Sequence, residues 1–192
     1  MSATVEPTLA PPGAGLPKVE LLLARLFFAA KRRWTARETL MAQFERERQA
    51  IRGLVAGCAP ARRSRRVLIP RLRGLEDSSR YWSVWMVLDH LRITNRAFGG
   101  AISSLARGIV PRQKAGPAAV KPDPEVTEAV EADFEDSCET FAAAAAAVSD
   151  LRTRTRYAHP WFGEMDAAGW HALAAIHMRL HRRQIEGILG RL

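Results

Sequence analysis

The chain has 192 residues, 47% of them apolar and 26% charged, which suits one folded domain with a real core and excludes a disordered chain. Its net charge of +9 is carried by twenty-five arginines and only four lysines; such charge attracts polyanions, but arginine used as a general surface cation produces it equally well. Cys58 and Cys138 stand far apart with no CxxC and no Cys/His finger spacing, which excludes a zinc finger, a redox dithiol and a disulfide scaffold, and a reduced cytoplasmic setting is expected.

Residues 1–17 are rich in Pro, Gly and Ala and lack a basic run, so a flexible leader is expected there rather than a signal peptide, with the domain over 18–192. The apolar run from Leu21 to Ala30 contains Arg25 and is too short to span a bilayer, so no membrane is expected as a partner. Helical periodicity begins near Lys18, with Leu22, Leu26 and Ala29 on one stripe and Lys31-Arg32-Arg33 in the last turn, where cations complement the dipole. Thr35 reads as an N-cap, with Glu38 completing a capping box. The following stretch, Ala36 to Ala56, puts Leu40, Phe44, Ile51 and Val55 on one side. The two stretches form either one kinked helix or two.

Residues 61–75 have no helical period and crowd Arg62, Arg63, Arg65, Arg66, Arg71 and Arg73 into a connection. A Trp-rich helix is expected over Asp77 to Arg107, then a Gly/Pro loop over 108–122. Asp123-Pro124 reads as the start of the next helix, which ends near Asp150 and whose alanine run, Ala142 to Ala147, allows close helix approach. Residues 151–165 read as a loop. Asp166 then caps a last helix that runs to about Leu189. Four or five helices with two long connections predict an all-α bundle.

His177 and His181 lie four residues apart in that last helix, about 40° apart around its axis, so both imidazoles can reach one metal at about 2.0–2.1 Å. Trp170, Ala174, Gln184 and Ile188 share their face. His90 shares a largely apolar stripe with Met86, Ile93 and Ala97, and a third histidine facing the same interior would complete a three-histidine site. Three protein ligands leave a position open for water or substrate. Periodicity does not say which helix faces which, and an HxxxH spacing alone is a weak signal.

Two stretches carry a resemblance. Trp82-Ser83-Val84-Trp85-Met86-Val87-Leu88-Asp89-His90-Leu91 resembles the second-helix motif of the DinB-like superfamily. His159-Pro160-Trp161-Phe162-Gly163, Trp170 and His177-Met178-Arg179-Leu180-His181-Arg182-Arg183-Gln184-Ile185 resemble its HPxFG…W…HxxxHxxQI ending. Together they span roughly residues 78–189. The resemblance implies a four-helix bundle of up-down-down-up topology, here with an extra N-terminal helix. It implies that the family's metal triad maps onto His90, His177 and His181, with nickel or zinc suited to imidazole. Its members include thiol-dependent S-transferases and hydrolase-like proteins. The function expected is therefore activation of water or a low-molecular-weight thiol toward a small-molecule substrate, with a homodimer among the allowed assemblies.

His159 and Trp161 are candidate pocket residues in the loop, and Trp85 and Gln184 on the helices. Trp82 and Trp170 are expected in the core or pocket wall. Glu164 and Asp166 are candidate bases only because of their place at the expected mouth. His171 is expected at the surface, and Asp89 is expected to pair with an arginine. Two other readings stay open: a non-catalytic dimerisation or scaffold module, and a polyanion binder using Arg62 to Arg73 and Arg152 to Arg156, although no specific nucleic acid is expected.

Overall fold

The computed structural model describes residues 6–192. α1 (Lys18–Trp34) and α2 (Arg37–Ala56) are two helices, not one kinked rod. Thr35 does not cap α2. Its backbone is extended and its N–H closes the Lys31 carbonyl of α1, so the residue ends one helix instead of starting the next. Leu40, Phe44, Ile51 and Val55 are all buried, as their common stripe requires.

The arginine-rich connection holds a single helical turn, α3 (Pro60–Arg63), and β1 (Val67–Leu68), which pairs antiparallel with β2 (Tyr81–Trp82). Several of its arginines are spent on structure: Arg63 on Glu131, Arg66 on Glu6 and Arg71 on Glu20. The Trp-rich helix, α4 (Val84–Ala106), starts seven residues later than its periodicity suggests. Residues Asp77–Ser79 form a 3-10 turn, and Ser83 Oγ accepts from Met86 N at 3.1 Å to cap the helix after the strand. Asp123 likewise does not start α5 (Val130–Ala146); it bends the chain by accepting from Glu125 N, and turns fill the gap. Residues 151–165 hold a hairpin, β3 (Tyr157–His159) against β4 (Gly163–Met165), with His159 opposite Gly163. Asp166 caps α6 (Ala167–Leu189) through Gly169 N at 2.8 Å.

Side-chain contacts orient the bundle. Along α4 and α5, Trp85 meets Glu131 and Asn95 meets Ser137, and a Cβ on Gly99 would touch Ala144; both numbers rise together, so these helices run parallel. His90 meets His181 while Phe98 meets Trp170, so α6 runs antiparallel to α4. Gln43 reaches Ala175 and Glu47 reaches Arg182, which makes α2 parallel to α6. The order is up-down-down-up. Gly99 and the alanine run let α4 and α5 close to van der Waals contact.

α1 stands outside this bundle. Phe28, packed on Phe162 at 4.6 Å between ring centres, is its one buried side chain. The stripe expected to enter the core does not: Leu22 and Leu26 are 58% and 60% exposed. The bundle completes its core with α2, α4, α5 and α6, so α1 has only its own inner edge to bury. It is held by polar ties, Arg32 to Asp166 at 2.6 Å, Arg25 to the Trp161 carbonyl, and Glu20 to Arg71 and Gly74 N. The leader, over its described residues, runs beside the connection, where Glu76 Oε1 accepts from Gly13 N and Gly15 N and Asp77 accepts from Ala10 N. No described helix is long and apolar enough to cross a membrane.

Candidate metal centre

α4 supplies His90, and α6 supplies His177 and His181 one turn apart. Because the two helices are antiparallel neighbours, all three rings meet. The Nε2 atom of His177 lies 3.2 Å from that of His90 and 3.1 Å from that of His181. The edges of a tetrahedron built on metal–nitrogen bonds of about 2.0–2.1 Å measure roughly 3.3–3.4 Å, close to these separations. Trp82 backs the cluster, its ring centre 5.2 Å from that of His90 and 6.3 Å from that of His181, and Phe98 meets His177 edge-on.

The outer nitrogens decide where the protons sit. His90 Nδ1 lies 2.6 Å from the Val120 carbonyl, which can only accept, so Nδ1 carries the hydrogen. Gln184 donates through Nε2 to the Ser79 carbonyl at 2.7 Å; its Oε1 therefore faces His181 Nδ1 at 2.6 Å and accepts from it. Both rings then turn a bare Nε2 lone pair inward. His177 Nδ1 is buried without a partner. A neutral His177 has one proton for two inward lone pairs, so without a cation this buried cluster leaves acceptors unpaired, which is costly. A cation at the shared point would use all three nitrogens. Burial pushes His90 down to about 4 and holds His177 and His181 well below the usual histidine range, so the rings are neutral, as metal ligands must be.

Asp89 supports this arrangement from behind. One of its oxygens accepts from Arg92, the pairing expected of it, and the other accepts from Asp123 N at 2.9 Å. That bond pins the connection three residues beyond Val120, whose carbonyl orients His90.

The cluster opens into a cavity of about 1270 Å³, largely apolar, between α1, α4, α6, the β3–β4 hairpin and the two long connections. His159 and Trp161 line it. His159 Nδ1 accepts from Trp161 N at 3.1 Å, so its proton sits on Nε2; burial pushes its pKa down to about 4.

The structure places other candidates elsewhere. Trp85 does not line the cavity, because its indole N–H is drawn to Glu131 Oε1 on α5 at 2.7 Å. Gln184 is fully buried behind His181 and acts through that ring. Asp166 is taken by the α6 cap and Arg32, and Glu164 is exposed on β4, so neither faces the cavity. His171 is not at the surface: it is 2% exposed and stacks on Phe141, because α6 is covered by α2 on one side and α4 on another. The Val120 and Ser79 carbonyls escaped sequence reasoning entirely, as did the cavity-lining edge of α1.

The family model described as the DinB superfamily matches residues 43–185 of this chain. The chain belongs to the DinB superfamily. Among solved structures, one described as TT2238, a four-helix bundle protein, superposes with a TM-score of 0.57 at 20% identity, covering 79% of this chain and 98% of that one. At that identity the likeness concerns the fold alone. Comparison with curated proteins finds no match. The DinB match begins inside α2, so α1 and the preceding segment lie outside it.

Proposed function

We propose that this DinB-superfamily member is a metal-dependent enzyme in which His90, His177 and His181 hold one divalent cation, zinc or nickel, beneath a small-molecule cavity. The observation that carries the reading is the convergence of three neutral imidazoles whose two outer hydrogen bonds force inward-facing lone pairs. Such an ion, when bound, supplies the Lewis acidity that makes a water or a low-molecular-weight thiol nucleophilic near neutral pH.

The chain's own groups do the rest. Val120 and the Ser79–Gln184 pair fix ring orientation, which keeps the nitrogens aligned without reorganisation. The rings of Trp82 and Phe98 pack against the histidines and cover the cluster on their side. His159 offers an Nε2–H to a polar atom of a bound molecule. The reaction class proposed is hydrolysis or thiol S-transfer, separated by whether turnover of an electrophilic substrate requires added thiol.

The test is elemental analysis of protein purified without a histidine tag. About one equivalent of metal per chain is expected in the parent and almost none in His177→Ala. A His177→Ala protein that keeps a full equivalent removes the proposal.

A further inference from the structure

We infer that the cavity binds an amphipathic anion, a molecule with an aliphatic or aromatic body and a single carboxylate or phosphate head. The inference uses the cavity of the proposed function but needs no metal. α6 presents two stripes: His177 and His181 face α4, while Ile176, Leu180 and Arg183 are offset by about one residue's rotation, toward α1. From the other side, Leu23, Phe27 and Phe28 of α1 face the same space. Leu23 and Phe27 are 60% and 55% exposed although they line the cavity, so the space between α1 and α6 is unfilled apolar surface. Apolar walls that the protein does not fill with its own side chains favour an apolar ligand body.

The charge around this space is predominantly positive. Lys31, Arg73, Lys114, Arg179 and Arg183 line it from four segments of the chain. None of the five forms an ion pair among the described residues. The two carboxylates that line it are already engaged. Glu20 holds Arg71 and Gly74 N, and its pKa is lowered by the Arg71 hydrogen bond. Glu76 holds Gly13 N, Gly15 N and Ser78 Oγ. The rim therefore offers cations without an ion pair, while its two carboxylates are held by donors of the protein itself. Low-dielectric walls focus such a field on an entering anion. Arginines without an ion pair occur elsewhere on the surface too; what distinguishes this set is that it borders unfilled apolar walls.

The experiment is calorimetric titration of metal-free, full-length protein with dodecanoate, dodecyl phosphate and the neutral methyl ester of dodecanoate, all below their critical micelle concentrations. The two anions are expected to bind one per chain, and the ester at least tenfold more weakly; a preference between the anions identifies the head group. Combined Arg73→Ala, Arg179→Ala and Arg183→Ala is expected to weaken the anions about tenfold. Arg152→Ala, Arg154→Ala and Arg156→Ala, on a different surface, should change nothing. Leu180→Trp, which fills the space, should abolish binding while thermal unfolding stays cooperative. Equal binding of ester and anion, no binding of either anion, or equal loss in both arginine sets overturns the inference. Zinc titration of the same preparation reports on the histidine cluster separately, so either reading can fail while the other stands.

Discussion

Gln184 fixes His181 by a chain of two hydrogen bonds: the Ser79 carbonyl holds the amide nitrogen, and the amide oxygen holds His181 Nδ1 at 2.6 Å. Among the described residues, this amide is the only hydrogen-bond partner of that ring's Nδ1. Replacing the amide with an isosteric apolar group, Gln184→Leu, is expected to weaken zinc binding by about 10–100-fold, the usual cost of losing an outer hydrogen bond to a ligand histidine. Competition against a chromophoric chelator measures it. Unchanged affinity would show that packing alone orients His181.

Metal binding to the folded state should appear as stability. At a free concentration one hundred times the dissociation constant, a ligand adds about 2.7 kcal/mol, which for a chain of this size is a rise on the order of 5–10 °C in melting temperature. Zinc or nickel is expected to raise the melting point of the parent protein and to leave a variant with His90, His177 and His181 all replaced by alanine unmoved. An equal rise in both would assign the effect to surface sites.

Gly169 and Gly100 should respond oppositely to alanine. A Cβ at position 169 would fall 2.9 Å from Met165 Cβ, too near the backbone to swing away, whereas nothing lies within 4 Å at position 100. Gly169→Ala should cost about 1–3 kcal/mol by overpacking. Gly100→Ala, in the exposed middle of α4, should gain about 0.5–1 kcal/mol by restricting the unfolded chain. Denaturant midpoints give both numbers, and a stabilised Gly169→Ala would refute the packing account.

His171 makes the fold acid-sensitive. Burial, with Arg37's charge adding, pushes its pKa down to about 4, against about 6.5 in the unfolded chain. Between those values the unfolded state binds more protons than the folded one. His171 therefore costs nothing above about pH 6.5, and stability falls as pH drops toward 4, by roughly 3 kcal/mol at the acid end. His171→Phe keeps the stack on Phe141 and removes the proton site. Urea unfolding of metal-free protein from pH 7 to pH 4 should show a shallower loss in the variant than in the parent; parallel curves would contradict it.

Much of the fold is legible where the determinants are local. The Leu40–Phe44–Ile51–Val55 stripe, the Asp166 cap with α6 ending at Leu189, and the same-face placement of His177 and His181 follow from the 3.6-residue period and from one side chain's hydrogen bond to the next turn. Where a local signal had two uses, tertiary context chose. Thr35 ends α1 instead of capping α2, and Asp123 makes a turn tied to Asp89 instead of opening α5.

By itself the amino-acid sequence determined the helices, the paired histidines and, through its motifs, the family. Only the folded chain decided that His90 meets that pair, that Trp85 turns away to Glu131, that His171 is enclosed, and that α1 stands off from the bundle to leave a cavity. The reason is the range of the forces. A helix is written by contacts within four residues. The carbonyls of Val120 and Ser79, which aim two of the three imidazoles, carry no side-chain signature at all, and only the closure of long connections brings them to the site.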